Sequence, residues 1–227
     1  MITPDLDFRN LYDHFNEPVT AFDCGQFCAI HNPNGKPYCC DICFAIPAAY
    51  HQEWDYLRSS TDLWHAWRGD ECTGEVVDPK SINLDTPEHM CLLACKGPDQ
   101  CQRAYRSVSC RQFPFFPYIT ADDRFIGLAY NWDFEPFCWV ISHLDQVTPA
   151  FRQEFIQTFD VLLGDWPDEY DSYYYLSEDM RTHFAKVRRR IPILHRNGGY
   201  YLLSPKTDRL YLVEPGHYKQ FGPYRTD

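Results

Sequence analysis

The amino-acid sequence predicts an α+β fold with an irregular cysteine-rich core, a few helices, and short antiparallel strands that end in a C-terminal β-hairpin. Three observations favour this class. Most of the 11 cysteines fall in two blocks, apolar residues follow a helical period in parts of the chain, and short aromatic and aliphatic runs are separated by turn residues. We expect a single domain over 1–227, with cysteine-rich blocks at 22–46 and 91–118 and a helical and hairpin part at 148–227.

The first half of the chain gives weak signals of regular structure. Residues 1–46 show little periodicity and are expected to form an extended arm around the cysteines. A helix is predicted from Pro47 to Ser60, because proline suits the first helical position and apolar residues then recur at i, i+4 and i+7. Residues 62–67 are expected to add a short turn, and 75–77 a short strand inside a polar loop.

The strand signals lie in the second half. Segments 124–132 and 137–142 are rich in aromatic and β-branched residues and are predicted to be strands. Two further apolar runs, 200–203 and 210–213, are separated by a polar stretch that contains proline and aspartate. This pattern predicts a β-hairpin close to the C-terminal end.

Two helices are predicted between these strands. The first spans 149–163, with Thr148 as its N-cap and an apolar stripe that is expected to be core. Its members are Phe151, Phe155, Phe159 and Leu162. The second is expected to begin with Ser177 as its cap and to end at Pro192. Its apolar face is predicted to consist of Met180, Phe184, Val187 and Ile191.

Charge is distributed unevenly along the chain. The net charge of -11 divides into -18 over 1–180 and +7 over 181–227, which includes the basic run 186–190. We expect a protein or peptide partner at this basic C-terminal segment, and no nucleic acid, since the acidic body would repel a polyanion. No run of 18 apolar residues is present and the first residues are acidic, so we expect no membrane association and a cytoplasmic location.

The cysteines indicate a metal site. In a reducing compartment dense cysteines point to metal ligands before disulfides. Four thiolates satisfy one tetrahedral zinc or one 4Fe-4S cluster, and near-neighbour cysteines can bring them together. The C-x2-C pair Cys40 and Cys43 has no matching pair downstream, so a zinc ribbon is not indicated. For Cys72 and Cys138 considered alone, a buried free thiol is the competing interpretation.

Two stretches resemble a known family. One is Cys24-x3-Cys28 followed by an adjacent cysteine pair, and the other is Cys110-Arg111-x-Phe-Pro with Cys101 before it. Together they resemble the YkgJ-like cysteine-cluster family of zinc- or iron-chelating domains, a distant relative of flagellin lysine N-methylase. The resemblance covers about a quarter of the chain. It departs from the family pattern in the x3 spacing and in Ser107, which stands where proline is usual.

The resemblance implies a set of metal ligands. They are Cys24, Cys28, Cys39, Cys40, Cys101 and Cys110. We add Cys95 because it lies near Cys101 in sequence, and Cys138 as an eighth sulfur. Arg106 and Arg111 are expected to offset the negative charge of the thiolates. No catalytic residue is indicated.

The cofactor implied is an iron-sulfur cluster of the 4Fe-4S type or zinc. The function we expect is that of a metal-cluster protein in redox chemistry, electron transfer or metal handling. Two alternatives stay open, a metal-dependent enzyme of protein or peptide modification and a zinc-stabilised interaction module. An open coordination position would favour the enzyme, whereas closure by four thiolates would favour a structural centre.

Overall fold

The computed structural model describes residues 6–72 and 86–226. These residues contain six α-helices and eight strands in two antiparallel sheets, which confirms the α+β class. The chain divides into two compact units, Met1–Asn16 with Gly25–Phe113 (unit 1) and Glu17–Cys24 with Pro114–Asp227 (unit 2). The single domain stays a prediction. No helix among the described residues has the length and apolar character needed to cross a membrane.

Unit 1 is built around a three-stranded sheet with short helices. The helices are α1 (Phe8–His14), α2 (Gly25–Ala29), α3 (His51–Ser60) and α4 (Val108–Gln112). The strands are β1 (Ala48–Tyr50), β2 (Trp64–Ala66) and β3 (Met90–Cys95). Strand β3 lies in the centre and pairs antiparallel with β1 and with β2. The second cysteine block therefore begins on the central strand of this sheet.

Unit 1 corrects several expectations. The helix expected from Pro47 begins at His51, because residues 48–50 pair with β3 and Tyr50 takes an extended N-cap conformation. The turn expected at 62–67 is replaced by strand β2, which also pairs with β3. Both errors have the same cause, since the pairing partner lies more than 20 residues away in sequence. The strand expected at 75–77 lies outside the described residues.

Unit 2 is a five-stranded antiparallel meander with two long helices. Its strands are β4 (Phe115–Ile119), β5 (Phe125–Tyr130), β6 (Ile191–His195), β7 (Tyr200–Leu203) and β8 (Leu210–Val213), in that order across the sheet. Its helices are α5 (Pro149–Asp165) and α6 (Pro167–Lys186), which connect β5 to β6. The predicted C-terminal hairpin is confirmed as β7 and β8.

Helix α5 follows its prediction closely. The Thr148 hydroxyl accepts a hydrogen bond from the Phe151 backbone N–H at 3.1 Å, which satisfies one of the free amides of the first turn. The predicted stripe is fully inaccessible to solvent, including Phe155 and Phe159, whose ring centroids lie 4.5 Å apart. Burial of these rings stabilises unit 2 and fixes the helix against its neighbours.

Three further expectations in unit 2 are wrong. Ser177 lies inside α6, where its hydroxyl donates to the Tyr173 carbonyl and accepts from the Ile119 N–H at 3.0 Å. Val187 follows the helix and is 43 % exposed, while Ile191 begins strand β6. Segment 137–142 contains a 3-10 turn, Val140–Ser142, in place of a strand.

Candidate metal centre

The first cysteine block presents two adjacent thiols on a tight turn. Cys39 and Cys40 lie on the 3-10 turn Tyr38–Cys40, and their sulfur atoms are 3.8 Å apart. The buried Tyr38 side chain anchors this turn, because its hydroxyl donates to the His31 carbonyl at 2.7 Å. The turn therefore holds the two sulfurs side by side, on two residues that are each partly accessible.

A buried carboxylate organises the loop around this turn. Asp41 is only 3 % exposed and accepts hydrogen bonds from the Asn32 and Asn34 side-chain amides at 3.0 and 2.8 Å and from the Cys43 N–H at 3.1 Å. Burial opposes ionisation of Asp41, but the three hydrogen bonds outweigh it, so the pKa lies below its usual value. The carboxylate thus keeps its charge and fixes the loop.

The second block supplies three thiols from three different elements. Cys95 ends β3, where it pairs with Trp64 of β2. Cys101 follows the 3-10 turn Pro98–Gln100. Cys110 lies in α4, whose N-cap Ser107 accepts a hydrogen bond from the Cys110 N–H at 3.3 Å. The fold positions each sulfur independently, which sequence spacing alone does not show.

Cys95 interacts electrostatically with Cys40 and Cys101, and Cys110 interacts with Cys40 and Cys95. We call these four residues the thiol cluster: Cys40, Cys95, Cys101 and Cys110. The pKa of Cys110 is raised to about 12, chiefly by burial and also by the charges of Cys40 and Cys95, while a hydrogen bond with Ser107 and the charge of Arg106 oppose the increase. The pKa of Cys95 is also raised, first by burial and then by Cys40 and Cys101. One sulfur therefore comes from the first block and three come from the second.

Arg106 lies beside the thiol cluster. Its guanidinium Nε donates to the Cys101 sulfur at 3.1 Å. Burial would lower the pKa of Arg106, but the hydrogen bond with Cys101 and the charges of Cys101, Cys40 and Cys110 raise it overall. In this position the guanidinium would offset negative charge on the sulfurs, a role that stays a prediction.

Arg111 has different neighbours from those expected. Its guanidinium donates to backbone carbonyls, namely those of Phe15, of Arg106 at 2.8 Å and of Ala104 at 2.8 Å. It also stacks over the Tyr12 ring, 4.1 Å from the centroid. Burial lowers its pKa. Arg111 therefore ties the end of α1 to the turn before α4 and organises the surroundings of the cluster.

Sequence reasoning missed the buried Glu53. This carboxyl is fully inaccessible and accepts hydrogen bonds from the Tyr12 hydroxyl at 2.5 Å, the Val108 N–H at 2.6 Å and the Tyr50 N–H at 3.2 Å. Burial raises the pKa of Glu53 to about 7 in spite of these donors. A polar position on a predicted helix gave no signal of such burial. Glu53 links α1, β1, α3 and α4 beside the second cysteine block.

The remaining predicted ligands are Cys24, Cys28, Cys39 and Cys138. Cys28 is buried in α2, and its thiol donates to the Gly25 carbonyl at 3.4 Å. Cys24 and Cys138 belong to unit 2, whereas the thiol cluster belongs to unit 1. Cys43 and Cys72, which were not among the predicted ligands, are joined by a disulfide, so the interpretation of Cys72 as a buried free thiol is wrong. Their spacing of 29 residues contains no signal that pairs them.

The thiol cluster is not in a metal-binding geometry. Across residues 6–72 and 86–226, no three His, Cys, Asp or Glu side chains are arranged so that they could hold a metal ion. The chemistry of the thiol cluster nevertheless fits a metal centre, because four sulfurs and a neighbouring guanidinium suit zinc or an iron-sulfur cluster. No family model, curated protein or solved structure matches the chain. The resemblance to the YkgJ-like family therefore stays a prediction.

Proposed function

We propose that unit 1 holds a metal centre, a 4Fe-4S cluster or a zinc ion, through the thiolates of the thiol cluster. One observation carries this proposal. Cys40 of the first block interacts electrostatically with Cys95 and Cys110 of the second, more than 50 residues away in sequence, and Arg106 interacts with Cys40, Cys101 and Cys110. Four thiolates complete the coordination of either centre. An iron-sulfur cluster would supply electron transfer, and zinc would supply stability.

Arg106 has a defined part in this proposal. Four thiolates around Zn²⁺ carry a net charge of about -2, which a neighbouring guanidinium offsets. Its Nε already donates to the Cys101 sulfur. Hydrogen bonds to ligand sulfur stabilise the thiolate form and tune the centre. Arg106 is thus a positioning residue for the cysteine ligands.

The raised thiol pKa values give the metal binding a pH dependence. Burial holds the Cys110 and Cys95 thiols in their protonated forms near neutral pH. Metal ligation requires thiolates, so each bound cysteine must release its proton. We therefore expect the apparent metal affinity to increase as the pH rises from 6 to 9.

Metal analysis of protein purified without oxygen tests the proposal. We expect about four irons with acid-labile sulfide and visible absorption, or about one zinc in a colourless protein. Cys110→Ser should lose most of this metal. Cys91→Ser is the matched control, since Cys91 is a half-buried thiol on β3 outside the thiol cluster. Equal metal content in the two variants, or none in the wild type, would overturn the assignment.

A further inference from the structure

Strand β8 forms one edge of the unit 2 sheet and pairs only with β7 among the described strands. The Ser204 N–H donates to the Arg209 carbonyl at 2.9 Å, which makes these two residues a hydrogen-bonded pair. Hydrogen-bonded and non-hydrogen-bonded pairs alternate along an antiparallel ladder. The next hydrogen-bonded pair is therefore Leu202 with Tyr211, whose backbone N–H and C=O groups point towards β7. The N–H and C=O groups of Leu210 and Leu212 consequently point away from the sheet. They form a template for another strand.

The side chains at this edge are also open. Leu212 is 70 % exposed, although it is a large apolar residue. On the opposite face of the strand two exposed arginines lie over one ring, with the guanidinium carbon of Arg190 3.9 Å and that of Arg209 5.3 Å from the Tyr211 centroid. Neither arginine forms an ion pair with any residue in the described ranges, whereas the adjacent Arg189 pairs with Glu135 at 2.7 Å. Two unneutralised cations thus lie beside a free strand edge.

We propose that β8 is a docking edge for an extended acidic segment of a partner protein, which adds to the sheet as a sixth strand. Backbone bonds to Leu210 and Leu212 supply the pairing, and carboxylates on alternate positions meet Arg190 and Arg209. A second copy of β8 is a poorer occupant, because it would bring the same arginines against one another. The inference does not depend on the metal centre.

A synthetic peptide of alternating Glu and Val is the probe, and a peptide of alternating Lys and Val is its control. We expect the Glu peptide alone to bind and to slow hydrogen exchange of the Leu210 and Leu212 amides at least tenfold, with weaker binding in 0.5 M salt. Equal binding of both peptides, protection at other strands, or no binding at millimolar peptide would overturn the proposal. The last outcome would leave the arginines as edge protection against aggregation only.

Two variants separate backbone pairing from charge. Leu212→Pro removes an outward N–H and leaves the ladder to β7 intact, so it should fold and lose at least tenfold in affinity. Arg190→Glu with Arg209→Glu should reverse the preference towards the Lys peptide. If Leu212→Pro does not fold, the charge reversal decides the question. An unchanged preference in that double variant contradicts the proposal.

Discussion

The buried Glu53 makes the stability of unit 1 depend on pH. Its pKa rises from 4.5 to about 7, because burial penalises the carboxylate more than its hydrogen bonds compensate. The folded state therefore binds the proton more tightly than the unfolded chain does. The difference between about 7 and 4.5, at about 1.4 kcal/mol for each pH unit, corresponds to about 3 kcal/mol.

Because the pKa of Glu53 is raised in the folded state, its contribution to stability decreases as the pH rises. Stabilisation by the neutral carboxyl is complete below pH 4.5 and is lost as the pH rises through about 7. Glu53→Gln is neutral at every pH, so the variant should lack this decrease. It should also be less stable by roughly 1 kcal/mol at low pH, because its amide nitrogen would face the Tyr50 N–H, which now donates to the carboxyl.

Urea unfolding between pH 5 and pH 8 measures the effect. Between these pH values we expect the free energy of unfolding to change by about 2.5 kcal/mol less in Glu53→Gln than in the wild type. Asp55→Asn is the control, since Asp55 lies on the same helix with an exposed carboxylate paired to Arg58. The same pH dependence in Glu53→Gln and Asp55→Asn would show that Glu53 does not cause the effect.

Three more predictions concern stability, each measured by denaturant unfolding. Replacing Cys43 and Cys72 by serine removes a disulfide between residues 29 positions apart and should lower the free energy of unfolding by about 3–4 kcal/mol. The variant and the wild type should be equally stable once the wild-type disulfide is reduced. Phe159→Ala should cost about 3–5 kcal/mol because the ring is fully buried, whereas Val161→Ala, half exposed on the same helix, should cost less than about 0.5 kcal/mol. Thr148→Ala removes the N-cap bond of α5 and should cost about 1 kcal/mol. Equal losses in Phe159→Ala and Val161→Ala would contradict the burial assignment. No loss in Thr148→Ala or in the serine variant of Cys43 and Cys72 would contradict the other two assignments.

The elements that the sequence predicts well are those with local signals. Helix α5 has a cap, a proline at its first position and a complete apolar stripe, and the β7–β8 hairpin has a polar turn between two apolar runs. The end of α6 shows the limit of periodicity. The apolar spacing continues to Ile191, but Arg188 takes a left-handed backbone conformation with φ 54°, so the chain leaves the helix.

In the candidate site, too, the features with a local sequence signal are predicted and those that depend on distant segments are not. The sequence shows two cysteine blocks, but which thiols come near one another depends on β3, which carries Cys95, and on α4, which carries Cys110. Arg111 follows Cys110 directly, yet neighbouring side chains on a helix point about 100° apart. Its guanidinium therefore reaches α1 and not the sulfurs. Burial of Glu53 likewise depends on contacts with distant segments.

The central claim is that the thiols of Cys40, Cys95, Cys101 and Cys110 hold one metal centre in unit 1. X-ray absorption at the metal edge of anaerobically purified protein tests it most directly. We expect a first shell of sulfur alone, about four atoms at about 2.3 Å, which is lost in Cys95→Ser with Cys110→Ser and retained in Cys91→Ser. A first shell of nitrogen and oxygen, or an unchanged sulfur shell in the double variant, would contradict it.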